Sequence, residues 1–371
     1  MMNRSTREPA SSSRRPLRIL LATLAIVGLG WAGIGLDPAN LNLDGWRWIV
    51  EADSPQPRLV RVFAHDGGIG DIAWSPDGEK IAAGGLLHNA LMIWDANTGA
   101  LVRRLDREHG SISSVAWSPD GRYVAAGRWF TEVSLGHVAL NVWDASTGRR
   151  LHALVGPLPL GQGANNVPSR SLAFSPDSRL LAAGHRGAIS IHDVETGQLK
   201  QILRGHRAVG IVLAFGHSRM LATGGPDRVA PVQTFDVETG ASLRAFAGDR
   251  ETPFAIAYRP DGRVVATADF QRPVVTLWDA QVGNPTRDLP GHTAPIRALA
   301  YSPDGRFLAS AAPGGGVIVW NAHSGERVTS LPNAKDLVYA IAFSPDARYL
   351  AAPVDKQVRV WDLSRVLPPR P

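Results

Sequence analysis

The sequence predicts an all-β fold in which seven four-stranded sheets form a closed ring, and three observations support this prediction. A triplet of an apolar residue, Ala and an aromatic residue occurs seven times, mostly 41 to 43 residues apart. The chain is rich in turn formers, with 38 Gly and 27 Pro among 371 residues, which favours many short elements. Hydrophobic residues make up 44% of the chain, enough to build a core. The triplets are Ile72–Trp74, Val115–Trp117, Leu172–Phe174, Leu213–Phe215, Ile256–Tyr258, Leu299–Tyr301 and Ile341–Phe343.

Each repeat contains the same elements in the same order. The triplet ends the first strand, and a turn such as Ser75–Gly78 follows, with Ser, Pro, Asp and Gly at the positions that a type I turn favours. A second short apolar run comes next, for example Tyr123–Ala126, and then a third strand that ends in Trp-Asp, as at Trp94-Asp95. The third strand is followed by Thr-Gly, as at Thr239-Gly240, where Gly supplies the positive φ of a hairpin turn. A fourth run, such as Leu101–Leu105, completes a unit of four strands.

This unit resembles the WD40 repeat, and the resemblance covers residues 59–371. The features that carry it are four short strands in about 42 residues and a Trp-Asp ending on the third strand. The Gly-His pair that the family has before its first strand is present at Gly205-His206 and Gly291-His292 and is reduced or absent in the other copies. The resemblance implies a seven-bladed β-propeller, in which neighbouring blades cover both faces of each sheet. The seven endings are Trp94-Asp95, Trp143-Asp144, His192-Asp193, Phe235-Asp236, Trp278-Asp279, Trp320-Asn321 and Trp361-Asp362.

The two ends of the repeat region predict how the ring closes. The first copy is preceded by an additional strand, Leu59–Phe63, which has the pattern of a fourth strand. The last copy ends after its third strand, Val358–Trp361. We therefore expect the strand at 59–63 to complete the sheet of the last blade.

The N-terminal region predicts an anchoring or export segment. Residues 1–18 form a basic leader with five Arg and one acidic residue, and residues 19–36 are apolar and uncharged. This run is about 27 Å long as a helix, enough to cross a bilayer, and the positive-inside rule puts the N-terminus in the cytoplasm and the propeller on the periplasmic or extracellular side. We interpret the run as a retained signal anchor; a cleaved export signal and a buried core helix are the alternatives. Residues 37–58 form a polar, Pro-containing linker.

No residue pattern in the chain indicates catalysis or a bound cofactor. The chain has no Cys, which excludes a disulfide scaffold, a thiolate metal site and a Cys nucleophile. Four of the 11 His stand at the Gly-His register of the repeat, namely His65, His109, His206 and His292. The Asp that recurs after Ser-Pro is explained by its role in the turn. We therefore expect no metal, no cofactor and no enzymatic activity. Much of the net charge of +6 comes from the leader, so the nearly neutral propeller is not expected to bind nucleic acid.

Two insertions interrupt the repeat and predict a binding surface. They fall at residues 128–137, between the second and third strands of blade two, and at residues 156–169, before blade three. Loops of these two kinds lie at the same end of the blades because chain direction reverses with every strand, and function is often found in such loops. Trp and Arg are frequent at interface hot spots. The predicted protein-binding residues are Arg128, Trp129, Phe130, His137, Asn165, Asn166, His185 and Arg186.

The sequence thus predicts a non-catalytic scaffold that binds protein partners at or beyond a membrane. Neutral drift of the insertions, with Trp129 and Phe130 folded back against their own blade, is the alternative explanation of the two loops. An envelope propeller resembling TolB is an alternative, because TolB shares the Trp-Ser-Pro-Asp-Gly phrase. A propeller enzyme or ligand binder that uses the central channel is another alternative, since a fold does not fix a function.

Overall fold

A computed structural model describes residues 56–86, 90–105, 111–129, 139–155, 171–185, 188–204, 212–216, 219–225, 231–246, 253–269, 271–331 and 338–367. The basic leader, the apolar segment 19–36 and all but the last three residues of the linker 37–58 lie outside the described residues. Within the described ranges every regular element is a β-strand, and no helix there could cross a membrane.

The described residues form seven antiparallel sheets of four strands, which we number as blades one to seven. The first strands are β2 (Ile69–Trp74), β6 (Ser111–Trp117), β10 (Leu172–Phe174), β14 (Val212–Phe215), β18 (Pro253–Tyr258), β22 (Ala298–Tyr301) and β26 (Ala342–Phe343). The second strands are β3 (Lys80–Gly85), β7 (Tyr123–Trp129), β11 (Leu180–Gly184), β15 (Met220–Gly224), β19 (Val264–Asp269), β23 (Phe307–Ala312) and β27 (Tyr349–Val354). The third strands are β4 (Leu91–Asp95), β8 (Ala139–Asp144), β12 (Ile189–Asp193), β16 (Val232–Asp236), β20 (Val274–Asp279), β24 (Gly316–Asn321) and β28 (Gln357–Asp362). The fourth strands are β5 (Leu101–Leu105), β9 (Arg150–Val155), β13 (Leu199–Leu203), β17 (Ser242–Phe246), β21 (Pro285–Pro290), β25 (Arg327–Ser330) and, for blade seven, β1 (Arg58–Ala64).

Blade seven contains strands from both ends of the repeat region. Strand β1 pairs with β28, and the register places Val62 opposite Arg359 and Phe63 opposite Val358. The order of this sheet is therefore β1-β28-β27-β26. First strands of neighbouring blades contact each other, including β26 with β2, so blades seven and one are in contact. The described strands thus form a closed seven-bladed β-propeller.

The blades stack through apolar clusters that each join two neighbouring sheets. At the junction of blades seven and one, Phe63 of β1 packs against Trp94 of β4, with ring centroids 5.9 Å apart. The same cluster includes Ile72 of blade one and Val358 of blade seven, both buried. Second strands are made of small and apolar residues, such as the fully buried run Phe307–Ala312, because they are covered on both faces.

The turn at the end of each third strand depends on its Asp. In blade two, Asp144 accepts hydrogen bonds from the backbone N–H groups and the hydroxyls of Ser146 and Thr147. The Ser146 hydroxyl contributes most, and together these bonds lower the pKa of Asp144 to about 2. In blade six, Asn321 accepts the two equivalent backbone bonds through its amide oxygen, which explains why Asn replaces Asp there.

On five of the fourth strands, which form the circumference of the propeller, a polar side chain contacts the next blade. Each of these residues pairs with the third-strand residue that directly precedes the Trp of Trp-Asp, or the Phe that replaces this Trp in blade four. Each side chain donates a hydrogen bond to a backbone carbonyl of the following blade, in the turn between its third and fourth strands. Arg61 donates to Ala96 at 3.0 Å, for example, and His152 to Glu195 at 3.1 Å. These exposed or half-buried contacts tie neighbouring blades together at the circumference. The five side chains are Arg61, Arg103, His152, Arg244 and Arg287.

The hydrogen bonds inside the blades differ from one blade to the next. In blade six, the Ser310 hydroxyl contacts His292 Nε2 at 2.7 Å and accepts from the Trp320 indole at 2.8 Å. In blade seven, Ala352 stands where blade six has Ser310, and the buried indole N–H of Trp361 has no partner among the described residues. Packing therefore carries more of the stability in blade seven than this network does.

We predict that Phe63→Ala will destabilise the propeller strongly. Phe63 is buried and fills the space between β1 and Trp94, so its removal should lower the free energy of unfolding by about 3 kcal/mol. Chemical denaturation followed by circular dichroism measures the change. Val62→Ala is the matched control, because Val62 is the neighbouring residue and is 47% exposed. Equal unfolding midpoints for the two variants would contradict the closing role of Phe63.

Candidate functional site

The two predicted insertions lie at one end of blades two and three. In blade two the second strand ends at Trp129 and the third begins at Ala139; the fourth strand then ends at Val155 and blade three begins at Leu172. Both gaps open at the end of the blades opposite to the Ser-Pro-Asp-Gly turns, because the strands alternate in direction. We call this the insertion end and the opposite one the turn end. Five of the predicted binding residues lie outside the described residues, namely Phe130, His137, Asn165, Asn166 and Arg186.

The structure differs from the sequence prediction at Arg128, which belongs to a strand rather than to the insertion. Strand β7 continues through Trp129, with Arg128 opposite Ile112 and Trp129 opposite Ser111. The Arg128 side chain is fully buried. The insertion between β7 and β8 therefore begins after Trp129. Arg128 lies in the interior of the propeller and not on an exposed rim.

His185 is likewise buried rather than exposed. Its Nε2 atom lies 2.7 Å from the Ser190 hydroxyl, and the Nε2 atom of His192 lies 3.1 Å from the same oxygen. Burial, assisted by the nearby His192, lowers the pKa of His185 to about 4. Burial also lowers the pKa of His192, which stands where other blades have Trp. At neutral pH these two His are uncharged. His185 lies beneath the surface of the insertion end and does not present its ring to a partner.

The central channel contains a cavity of about 360 Å³ near the insertion end, lined mainly by residues in or just before the first strands of the seven blades. Asp71 and Arg297 are its two charged residues, and the Arg297 guanidinium lies 4.7 Å from the centre of the Phe254 ring. The Asp71 carboxylate accepts from the backbone N–H groups of Val115, at 2.7 Å, and Ile72. Desolvation outweighs these two bonds and raises the pKa of Asp71 to about 7.

Sequence reasoning missed Asp71, although a signal was present. Asp71 immediately precedes the first triplet, and the residues in the same position of the other six repeats carry no charge. A lone carboxyl in a first strand is a candidate ligand contact, since the first strands of the blades face the channel. No group of three or more His, Cys, Asp or Glu that could hold a metal ion occurs in the described part of the chain.

These features define a class of protein: a seven-bladed β-propeller that contains WD40 repeats, a fold suited to protein interaction. Residues 57–95, 99–129, 283–321 and 325–362 match the family model "WD domain, G-beta repeat". The chain is also similar to Autophagy-related protein 16 from Arabidopsis thaliana, with 28% identity over 224 residues. That similarity covers 51% of this chain and 42% of the relative, so the chain spans less than half of the relative's length.

We predict that the propeller loses stability as the pH falls from 7 to about 4.5. An unfolded His185 binds a proton near pH 6.5, whereas the folded residue does so only near pH 4, so the unfolded chain takes up more protons in this window. His185 alone should contribute about 2 to 3 kcal/mol to this loss. Urea denaturation at several pH values measures the dependence.

The variant His185→Gln should show a smaller loss of stability on acidification than the parent protein. His323→Gln is the control, because His323 lies exposed in a turn. If His185→Gln and the parent protein lose the same free energy between pH 7 and 4.5, His185 is not the group that responds.

Proposed function

We propose that this protein is a non-catalytic WD40-repeat scaffold that binds protein partners through the insertion end of its propeller, at or beyond a membrane. The observation that carries the proposal is the position of the two insertions. They follow β7 and β9, two strands of one blade, and both open at the same end of that blade. Loops that depart from a repeat are not needed for its packing and are available for recognition.

The relatives of this fold support a binding role. Matches to the WD domain, G-beta repeat model cover four segments that include β1 and β28, the two strands that close the ring. Autophagy-related protein 16 shares sequence with half of this chain, and a non-catalytic interaction protein is consistent with that similarity. We propose no particular partner from it.

The membrane context is proposed from the sequence of residues 1–36. A basic leader followed by 18 uncharged residues fits a signal anchor with a cytoplasmic N-terminus, and a cleaved export signal is the alternative. Arg58, at the start of β1, pairs with Asp362, so the chain enters the propeller at the turn end.

A ligand-binding channel is the second candidate function, and the cavity near the insertion end supports it. Asp71, Arg297 and Tyr339 give this cavity groups that could orient a small polar molecule. Metal analysis of the purified protein and a screen of hydrolase and dehydrogenase substrates test it. Turnover that Asp71→Asn abolishes would favour an enzyme over a scaffold.

We predict that the double substitution of Trp129→Ala and Phe130→Ala will abolish partner capture without unfolding the protein. Removal of an aromatic hot spot typically costs about 2 kcal/mol or more of binding free energy, or about 30-fold in affinity. Crosslinked pull-down from the native membrane measures capture, and the melting temperature measures folding.

Val282→Ala is the matched control for this experiment. Val282 is 55% exposed in a turn of blade five, at the turn end, so its truncation should leave capture unchanged. A large drop in melting temperature for the double variant, with capture retained per folded molecule, would show that the two aromatic residues belong to the core.

We also predict that a reporter fused after Pro371 and active only in the cytoplasm will be inactive. The five Arg before residue 19 should retain the N-terminus in the cytoplasm and send the propeller across the membrane. A reporter that is active only outside the cytoplasm should work in the same position. Full activity of the cytoplasmic reporter would refute this topology.

A further inference from the structure

A cleft of about 530 Å³ opens at the turn end, between blades seven and one. Its walls are the turn Ser75–Lys80 of blade one and the turn Ser344–Tyr349 of blade seven, and its floor includes Trp74 and Val360. We call it the seam cleft. It lies at the end of the propeller opposite to the insertions, so it is separate from the predicted binding surface.

Two half-buried aromatic rings stack at the floor of the seam cleft. Trp74 and Tyr349 lie nearly parallel, with an interplanar angle of 21° and centroids 6.4 Å apart, and both are half-buried. The Trp74 indole donates to the Ala342 carbonyl at 3.1 Å, which fixes the orientation of the ring. At two other junctions the equivalent aromatic rings are buried: Tyr123 with Phe174, and Phe307 with Phe343. Three described junctions thus have an aromatic residue at both positions, and in this one both rings are half-buried.

The rim of the cleft carries carboxylates. Asp77 and Asp346 occupy the same position in their two turns, and each accepts from the Ser hydroxyl two residues earlier and from a backbone N–H two residues later. For Asp77, desolvation is outweighed by these bonds, so the pKa of its carboxyl lies below the ordinary value. Glu79 adds a third carboxylate, 3.8 Å from Lys80 Nζ. The rim therefore presents carboxylate oxygens above an aromatic floor.

The two Arg side chains of the cleft are already engaged by the protein. Arg61 donates to the Ala96 carbonyl at 3.0 Å, and Arg348 forms an ion pair with Asp362 at 2.9 Å. The Arg348 guanidinium also lies 5.0 Å from the centre of the Tyr349 ring. The floor thus already stacks one guanidinium, on Tyr349, beside the half-exposed ring of Trp74.

We propose that the seam cleft binds an Arg side chain of a partner protein, with its guanidinium stacked on Trp74 and facing the carboxylates of Asp77 and Asp346. A planar guanidinium stacks on an indole face and pairs with carboxylates, whereas a lysine ammonium is a compact charge that matches this shape less well. This second contact extends the proposed protein-binding function to the turn end. It does not depend on the insertion loops.

The test is a titration of the full chain with the acetylated and amidated peptide Ala-Ala-Arg-Ala-Ala, in which saturation-transfer NMR measures binding. The same peptide with citrulline in place of Arg has the same shape without the charge, and it should bind about fivefold more weakly. Trp74→Leu and Asp77→Asn should each weaken binding of the Arg peptide about three- to fivefold. Binding should also weaken as the salt concentration rises.

Blade two supplies matched controls for both substitutions. Trp117→Leu and Asp120→Asn alter the same two repeat positions at a different junction, and they should leave binding of the Arg peptide unchanged. Asp346→Asn, with Asp304→Asn as its control, gives an independent pair if Trp74→Leu impairs folding. The Asn variants can retain the oxygen that accepts the turn hydrogen bonds.

Equal affinity for the Arg and citrulline peptides would overturn the proposal. Equal losses of Arg-peptide binding in the blade-two variants and in the seam-cleft variants would also overturn it. So would tighter binding of a Glu-containing peptide. The result is distinguishable from failure of the proposed function, because the double substitution at Trp129 and Phe130 should not affect this titration. Loss of capture by that double variant and loss of peptide binding by the seam variants are separate outcomes.

Discussion

Closure of the ring by β1 is the constraint on which the rest of the structure depends. The outermost strand of blade seven comes from the start of the repeat region and the other three strands come from its end, so one sheet joins both ends of the repeat region. Without β1, the edge of β28 would be open, and Trp94 of blade one would lose the ring of Phe63 that covers it. Since every blade needs a neighbour on both faces, a defect at this junction exposes two blades at once.

The blades share this architecture but differ in how their interiors are satisfied. Blade six links His292, Ser310 and Trp320 by hydrogen bonds, whereas blade three replaces the Trp with His192 and joins it to His185 through Ser190. These local differences leave the backbone register intact, because the sheets are determined by packing and turns. They change instead how each blade responds to pH and to substitution.

The two ends of the propeller also differ in chemistry. The insertion end has the loops that depart from the repeat and the mouth of a channel with Asp71, while the turn end has regular turns and one aromatic cleft at the seam. The seam differs from the other two junctions with an aromatic pair, because both of its rings, Trp74 and Tyr349, are only half-buried. A scaffold with separate surfaces at its two ends can hold more than one partner, which is consistent with the proposed function.

The sequence by itself determined the seven blades, the four strands of each blade and the chemistry of the turns, because strand period, Gly position and turn residues act over a few neighbours. It also identified Leu59–Phe63 as a fourth strand without a blade of its own, and the structure has β1 at Arg58–Ala64. The tertiary structure alone decided that Arg128 is buried, since the length of β7 depends on its pairing with β6 and its environment on the adjacent blade. Likewise, only the packing of blade seven against blade one sets the exposure of Trp74, and only the meeting of seven inner strands puts Asp71 at the channel. Burial results from contacts between residues that are distant in sequence, and no local pattern records it.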